Sequence, residues 1–293
     1  MAQILCFERP VTLSRKNGTL GITGIDGTVR TLPLLQISEL FALAGATVEP
    51  SLASLLAETR TPLHSFGPDG YEGSWMPFHG LLAGRTAFAQ YRALCDGDRR
   101  RELGLRLLKA AMLFRLAWVR QLRPGEEEHW EERYLAIYRE ARVYPQRPLR
   151  LALEAVEVVD AARRQAWGLS LRSCRIAADL WLALTIGTFR DLSLDPWCSL
   201  VTEKRSFPLA RDLAFLLEPS FVEAFGDGLP GRSDLWAPLL EDHLRRPFAR
   251  DGGRVWSLRS LALREGYLLL GAIQSGGIYR PAKNVEVTIR ESA

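Results

Sequence analysis

The stretch from Leu194 to Pro219 holds the side chains whose types and spacing best suit chemistry. One helix is predicted to end at Leu194-Asp195-Pro196, and after a polar loop another begins near Ser206-Phe207-Pro208. Free backbone N–H groups and the positive end of the helix dipole at such a start suit a phosphate or a metal-held oxygen. The polar residues of this stretch that could contact a ligand are Thr202, Glu203, Lys204, Arg205, Arg211 and Asp212.

Motifs for common small-molecule chemistry are absent from the sequence. No phosphate loop, nucleophile elbow or His-Glu-x-x-His helix occurs. The four cysteines form no Cys-x-x-Cys pair, which argues against a zinc site and a disulfide framework. The sequence therefore offers no basis for predicting an enzyme of these classes.

Composition allows a nucleic-acid partner without requiring one. The net charge is +4, and only four of the 38 basic residues are lysines. Arginine suits phosphate recognition, but it also forms ordinary solvated surfaces. The first residues lack the pattern of a signal peptide, and no apolar run reaches the roughly 20 residues of a membrane span. We expect a cytoplasmic protein with no membrane partner.

Residues 1–82 are predicted to form a small β domain with one short helix. Their apolar residues recur with a period near two, and Asp26-Gly27 is typical of a hairpin turn. The helix is predicted from Pro50 to Ala57. The predicted strands cover residues 4–7, 11–13, 20–23, 29–32, 39–43 and 62–66.

Residues 83–293 have the period of helices, so the fold class is α+β with a larger all-α C-terminal domain. Asp98 is predicted to cap a helix that runs to Leu122. Its apolar stripe predicts a buried face, and its many arginines are placed on the other faces, as a solvated or a phosphate-tracking surface. Further helices are predicted over 127–142, 149–169, 172–190, 208–225, 233–247 and 257–275.

The order of several segments resembles the CRISPR-associated integrase family, "Cas one", which joins new spacers to a repeat array with a small partner, "Cas two". The segments are the Leu13–Gly18 turn, Leu34–Leu40 leading to Gly45, Arg85–Arg92, Leu194-Asp195-Pro196, Leu209–Leu213 and Tyr279-Arg280-Pro281. The resemblance covers nearly the whole chain. It implies an N-terminal domain at 1–82 for dimerisation and a DNA-binding helical domain at 83–293.

The resemblance also implies a metal site, and this chain departs from it. The family holds magnesium or manganese with a glutamate, a histidine and a carboxylate, which fall here on Asp160, Thr202 and Phe215. Asp212, the supporting carboxylate, is present. Threonine is a poor metal ligand and phenylalanine is none, so we expect no intact catalytic residue, no cofactor and a vestigial metal pocket.

Three hypotheses about function remain open. The first is a catalytically inactive DNA-binding subunit of a spacer-acquisition complex, which pairs as a dimer with an active paralogue and with "Cas two". Its DNA would be the double-stranded spacer precursor and repeat. The second is an active metal-dependent endonuclease or integrase that uses magnesium or manganese, with rearranged ligands such as Asp160, Glu203 and Asp212. The third is an unrelated basic helical interaction protein.

Under the first hypothesis, arginines and lysines near the former pocket contact DNA. The alternative is that these residues only keep the surface soluble. Trp167 and Trp197 are expected in the core, and residues 284–290 alternate like a strand that could dock on a partner's sheet. The predicted DNA-binding residues are Arg163, Arg164, Lys204, Arg205 and Arg211.

Overall fold

The computed structural model describes residues 3–67, 70–76, 84–192, 194–201, 208–226, 236–251 and 254–281. The chain forms two compact units, Met1–Leu82 with Leu229–His243, and Ala83–Gly228 with Leu244–Ala293. Strands come first in the chain and helices dominate the rest of it, which confirms the predicted α+β class. The segment Leu229–His243 departs from the expected boundaries, because the sequence analysis places it in the helical domain.

The first unit contains eight strands and one helix among the described residues up to Met76. They are β1 (Gln3–Phe7), β2 (Val11–Lys16), β3 (Thr19–Gly24), β4 (Val29–Leu32), β5 (Ile37–Ala42), β6 (Ala46–Val48), α1 (Pro50–Thr59), β7 (Leu63–Gly67) and β8 (Gly70–Trp75). The strands β6 and β8 are additions to the predicted set. Neither strand has a buried residue, so neither shows the apolar run of a core strand such as β5.

Two four-stranded sheets organise these strands. One has the order β1-β5-β7-β8, in which only the last pair is antiparallel. The other has the order β4-β3-β2-β6, in which only the last pair is parallel. All six residues of β5 are buried, and apolar side chains from both sheets and α1 join one core. This core is what the alternating apolar pattern predicts.

Tight turns join the antiparallel strands where the sequence predicts them. Asp26-Gly27 connects β3 to β4, with Gly27 at φ +76° and its N–H donating to the carbonyl of Gly24 at 3.0 Å. Asn17-Gly18 connects β2 to β3 with both residues at positive φ. Glycine and asparagine tolerate this left-handed region, so the turn chemistry determines the register.

The remaining elements are nearly all helical. They are α2 (Gly84–Cys95), α3 (Gly97–Leu122), α4 (Glu127–Val143), α5 (Leu149–Ala166), α6 (Leu171–Thr188), α7 (Pro208–Gly226), α8 (Trp236–Arg245), β9 (Pro247–Asp251), β10 (Arg254–Ser257) and α9 (Leu258–Ser275). None of the helices in the described segments is long and apolar enough to cross a membrane.

The longest helix, α3, organises the second unit. It packs against α2, α4, α5 and α7, and its buried residues occur on most of its circumference. Helices α6 and α7 pack closely on each other and are largely buried as well. Some residues of α3 that were predicted to lie on solvated faces, such as Arg115, are therefore buried against other helices.

Two local predictions in this unit are wrong. The cap of α3 is Asp96, whose carboxylate accepts the N–H of Arg99 at 3.0 Å, and Asp98 lies in the first turn. Both aspartates precede the apolar stripe, so the sequence alone did not separate them. In addition, β9 and β10 form an antiparallel hairpin in a domain that was expected to be all-α.

We predict opposite effects for two glycines within helices of this unit. A Cβ at Gly104 of α3 would lie 2.6 Å from Cδ1 of Leu149 and 3.3 Å from the carbonyl oxygen of Leu200, whereas a Cβ at Gly271 of α9 meets open space. Gly104→Leu should lower the free energy of unfolding by about 2 kcal/mol through overpacking. Gly271→Ala should raise it by about 1 kcal/mol. Urea unfolding checks both, and equal effects would contradict the close packing at Gly104.

Candidate functional site

Four helices bring charged side chains together in the interior of the helical unit. Arg115 comes from α3, Tyr134 from α4, Asp160 and Arg163 from α5, and Glu223 from α7. All five side chains are buried, and both guanidinium groups have no solvent exposure. We call this group, together with its partners Arg164 and Glu218, the arginine–carboxylate cluster. It includes Asp160, one of the three positions that the family resemblance assigns to metal binding.

Every oxygen of the Asp160 carboxylate is engaged by protein donors. Arg115 Nε donates to Oδ2 at 2.8 Å, while the Tyr134 hydroxyl and Arg163 Nη2 donate to Oδ1 at 2.6 and 3.0 Å. Burial raises the pKa of Asp160, but the guanidinium groups of Arg115 and Arg163 outweigh it and hold the pKa at about 2. Asp160 is therefore an anion compensated from within the fold.

The guanidinium of Arg115 bridges Asp160 and Phe215. Its Nη1 donates to the carbonyl oxygen of Phe215 at 2.8 Å and to that of Ala111 at 3.1 Å. Its central carbon lies 3.9 Å from the centroid of the Phe215 ring, a cation–π contact. A permanent cation thus lies between two of the three positions that the family resemblance assigns to metal binding.

These residues do not fit a divalent metal ion. Phe215 supplies no ligand atom, and the oxygens of Asp160 already accept three hydrogen bonds. The third position, Thr202, lies outside the described residues. Within those residues, no group of three or more His, Cys, Asp or Glu side chains could hold a metal. A guanidinium in the same place would also repel a metal cation.

The second half of the cluster is centred on Glu223. Arg163 donates to both of its carboxylate oxygens, at 2.8 and 2.7 Å, and the indole N–H of Trp118 donates at 3.1 Å. Arg164 lies between Glu223 and Glu218, at 3.4 and 3.2 Å. Burial raises the pKa of Glu223 to about 7, in spite of the opposing effect of Arg163. Three arginines thus face three carboxyl groups.

The predicted DNA-binding residues are only partly accessible. Arg163 has no solvent exposure, and both Nη atoms are used by Asp160 and Glu223, which does not fit a contact with phosphate. The Arg164 side chain is 11% exposed and lies between Glu218 and Glu223. Arg211 is half-buried and lines a small cavity of about 60 Å³ with Phe215 and Glu218. Lys204 and Arg205 lie outside the described residues.

Asp212 secures the loop that precedes α7. Its Oδ2 accepts the hydroxyl of Ser199 at 3.0 Å and the N–H groups of Leu200 and Val201 at 2.8 and 3.1 Å. Three donors on one oxygen of a buried carboxylate make it a structural anchor. The rearranged metal set of Asp160, Glu203 and Asp212 gains no support from this geometry, since both aspartates are engaged and Glu203 lies outside the described residues.

The start of the Leu194–Pro219 stretch is clamped by α2. Gln90 exchanges two hydrogen bonds with the backbone of Asp195, at 2.8 and 2.9 Å, and Tyr91 donates to its carboxylate at 2.7 Å. The same carboxylate accepts the N–H of Trp197, whose side chain is 53% exposed, so the prediction that Trp197 lies in the core is wrong. The Asx turn at Asp195 orients it outward.

Sequence reasoning missed Arg115, Tyr134 and Glu223, although a signal for Arg115 is present. Ala111 and Trp118 belong to the apolar stripe of α3, and Arg115 is four residues after the first and three before the second. These spacings place all three on one face of a helix. Glu223 likewise follows Phe221-Val222 within an apolar stretch. A lone charge on an apolar face indicates a buried partner.

Comparisons with known proteins agree on one family. The family model for "CRISPR associated protein Cas1" matches residues 4–157, more than half of the chain. The CRISPR-associated endonuclease Cas1 of Haloferax volcanii is 35% identical over 101 residues. That match spans 34% of this chain and 30% of the relative, so it covers less than a third of the relative's length.

Solved structures share the fold at low sequence identity. A Cas1 protein from Thermotoga maritima has a TM-score of 0.75 at 15% identity, covering 96% of this chain and 100% of that one. A casposase bound to integration product has a TM-score of 0.71 at 12% identity, covering 97% and 95%. A Cas6-RT-Cas1–Cas2 complex contains a chain with a TM-score of 0.70 at 11% identity, covering 96% and 36%.

We predict that Arg115→Met strongly destabilises the helical unit. The change leaves Asp160 as a buried anion without its closest cation, which should lower the free energy of unfolding by about 3–5 kcal/mol. Adding Asp160→Asn should recover part of this loss. The control is Arg106→Met, which breaks a half-exposed pair with Glu102 and should cost at most about 1 kcal/mol. Chemical unfolding monitored by circular dichroism measures all three, and equal losses for Arg115→Met and Arg106→Met would contradict this role.

We also predict a pH dependence that belongs to Glu223. Its pKa is about 7 in the folded chain against an ordinary value of 4.5. Between these values the folded state binds a proton that the unfolded chain does not, so stability rises as pH falls from about 7 to 4.5 and is lost as pH rises. Glu223→Gln should remove about 3 kcal/mol of this dependence.

The matched control for the pH experiment is Glu218→Gln, at a partly exposed carboxylate of the same cluster. It should retain the slope of the unmodified chain. Because Asp160 has a lowered pKa, the unmodified chain should lose stability as pH falls below about 3.8 towards 2. Urea unfolding from pH 2 to pH 8 measures these slopes, and an unchanged slope in Glu223→Gln would refute the assignment.

Proposed function

The chain belongs to the Cas1 family of CRISPR-associated proteins, and we propose that it is a DNA-holding, catalytically inactive subunit of a spacer-acquisition complex. The observation that carries this proposal is the Arg115 guanidinium, which contacts both Asp160 and Phe215 at family-equivalent metal positions. The fold of the family is present, and a cation of the protein itself at the position that the resemblance assigns to the metal supports the proposal.

Electrostatics makes this arrangement incompatible with the metal chemistry implied by the family. Two unit charges 4 Å apart interact by roughly 4 kcal/mol at the effective dielectric constant of protein sites. A divalent ion beside Arg115 would meet about twice that repulsion, with no ligand from Phe215 to offset it. The Arg115 side chain is held in this position in the folded chain, because its Nε and Nη1 donate hydrogen bonds to three acceptors.

The proposed partners follow from the family and from its solved members. One protein of this fold is bound to an integration product, and another forms a complex that contains Cas2. For this chain we infer binding to double-stranded spacer precursor and repeat DNA, to the small Cas2 partner, and to an active Cas1 paralogue. Residues 1–82 are proposed for dimerisation and residues 284–290 for docking. A cytoplasmic location follows from action on DNA.

An active integrase is the alternative, and the contacts of the described residues give it no support. It would require the oxygens of Asp160 or Asp212 to leave their present donors and bind a metal. Arg115 and Arg163 already pair with the buried carboxylates of Asp160 and Glu223, so a metal ion would have to displace cations that belong to the fold. Activity of the purified chain alone is the result that would restore this alternative.

We predict no half-site integration by this chain alone with manganese, and salt-sensitive DNA binding without any metal. The reaction would use labelled spacer DNA and a repeat-containing plasmid, with a Cas1 protein that retains glutamate, histidine and carboxylate ligands as the positive control. DNA affinity, measured by fluorescence anisotropy, should fall at least tenfold between about 50 and 200 mM salt. EDTA should change neither this affinity nor the midpoint of thermal unfolding.

Three results would count against the proposal. Integration product from the chain alone would show that a metal site exists. A manganese-dependent rise in the thermal midpoint would show that the cluster accommodates a divalent ion. Failure to bind DNA at low salt would overturn the DNA-holding role; the third hypothesis, a protein unrelated to this family, is already overturned by the match of the family model to residues 4–157.

A further inference from the structure

The helix α5 carries two apolar stripes on opposite sides. One faces the interior and leads to the arginine–carboxylate cluster. The residues of the other are four, three and four positions apart, a spacing that keeps them on one side of a helix. Leu151 and Val158 of this stripe are 45% and 69% exposed, so the described part of the chain leaves it open to solvent. We call the stripe the outer face of α5, and its members are Leu151, Ala155, Val158 and Ala162.

This outer face is unusual for a helix that already has a buried side. Within its own unit, α5 packs against α3, α4 and α6. A helix that is apolar on both sides is expected to be covered on both. Single exposed apolar side chains are common, whereas a continuous exposed stripe marks a surface for interaction. The outer face therefore indicates a contact beyond those of the described residues.

A hollow of about 60 Å³ lies beside the outer face, where α4 and α5 meet. Its apolar lining includes Ile137 and Ala141 of α4, and Pro148 and Leu151 at the start of α5. Val158 follows Leu151 by two helical turns and projects into solvent from the same face. The face thus presents one protruding side chain and one hollow, which are the two halves of a knobs-into-holes contact.

Charges of both signs line one flank of the outer face. Arg150 and Glu154 are 47% and 43% exposed, and they form a weak pair at 3.6 Å. Glu157 is half-buried and lies three residues beyond Glu154 on the same flank. A flank with one cation followed by two anions complements a reversed copy of itself, because the cation then meets the anions.

We propose that the outer face of α5 binds the same face of a second copy of this chain, with the two α5 helices antiparallel. Such a contact is isologous, so each residue pair occurs twice and each flank meets the same flank of the other copy. Leu151 then lies opposite Ala155 of the second copy, a large side chain against a small one. In this register Val158 lies over the second copy's hollow, next to its Pro148.

The charges agree with that register. Arg150 comes to lie between Glu154 and Glu157 of the second copy, and the symmetry of the contact repeats the arrangement on the other side. A second copy of the face thus satisfies both the apolar stripe and the charge pattern without a residue from any other protein. This self-complementarity is the reason for assigning the occupant as a second copy.

This inference goes beyond the proposed function and does not rest on DNA binding. It also differs from the dimerisation proposed for residues 1–82, because the contact belongs to the helical unit. A chain with two separate two-fold contacts joins dimers into a larger assembly. One helix face against another is at the small end of specific interfaces, so we expect a weak, concentration-dependent association.

The first test is sedimentation velocity of the full chain from about 1 to 100 µM. The mean mass should rise with concentration by a factor of about two above that of the smallest species. Val158→Glu places a charge on the apolar stripe, and Arg150→Glu places like charges together. Each should weaken the association by about tenfold or more. The matched control is Arg172→Glu, at an exposed arginine of α6, and it should leave the association unchanged.

A charge swap and a disulfide trap test the register. Arg150→Glu/Glu157→Arg exchanges the two signs, so it should restore most of the association that Arg150→Glu loses. For the trap, Leu151→Cys and Ala155→Cys chains are mixed under oxidising conditions, both with Cys95→Ser because Cys95 is exposed. Opposite positions should form a disulfide-linked dimer. Leu151→Cys mixed with Gln165→Cys, at another exposed position of α5, is the control and should form little.

Several outcomes would overturn the inference. A mean mass that stays constant up to the highest concentration would exclude a second copy as the occupant. Equal effects of Val158→Glu and Arg172→Glu would exclude the outer face as the contact. Equal disulfide yields in the trap and its control would exclude the antiparallel register. None of these measurements uses DNA, so a failure to bind DNA would overturn the proposed function and leave this inference standing.

Discussion

The ion pair between Arg115 and Asp160 is the interaction on which the helical unit depends. It joins α3 to α5 in the interior, and through Tyr134 and Glu223 the same network reaches α4 and α7. Charges taken out of water at this depth are tolerated only when each has close partners. The requirement is met because three arginines face three carboxyl groups, so the cluster dictates how four helices must pack.

This constraint also bears on chemistry. A metal site needs ligand oxygens with free lone pairs and an open position, whereas the cluster commits its oxygens to guanidinium groups and a tyrosine. An arginine on α3 cannot dissociate as an ion does, so the positive charge is permanent and brings no catalytic water. If the chain has lost metal-dependent catalysis, as we propose, the fold around the cluster is nevertheless retained. The loop that precedes α7, for example, is still anchored by Asp212.

Local patterns were sufficient for much of the fold. Asp26-Gly27 and Asn17-Gly18 needed positive φ, and both form tight turns between antiparallel strands. The period of two and then of 3.6 separated a strand-rich start from a helical remainder. Errors arose where competing signals were close together, as with Asp96 and Asp98. They also arose where strands lacked an apolar run, as in β8 and in the hairpin of β9 and β10. Tertiary pairing stabilises such strands.

The sequence by itself determined the α+β class and the family resemblance, and it supplied the prediction that Thr202 and Phe215 replace metal ligands, because residue identity and local period carry that information. Only the tertiary structure decided that Arg115 is internal, that Arg163 faces Glu223 and that Trp197 faces solvent. Arg115 and Asp160 are 45 residues apart, and Arg163 and Glu223 are 60 apart. Whether an arginine meets water, a phosphate or a buried carboxylate depends on which helices pack together, and packing is not a local property of the chain.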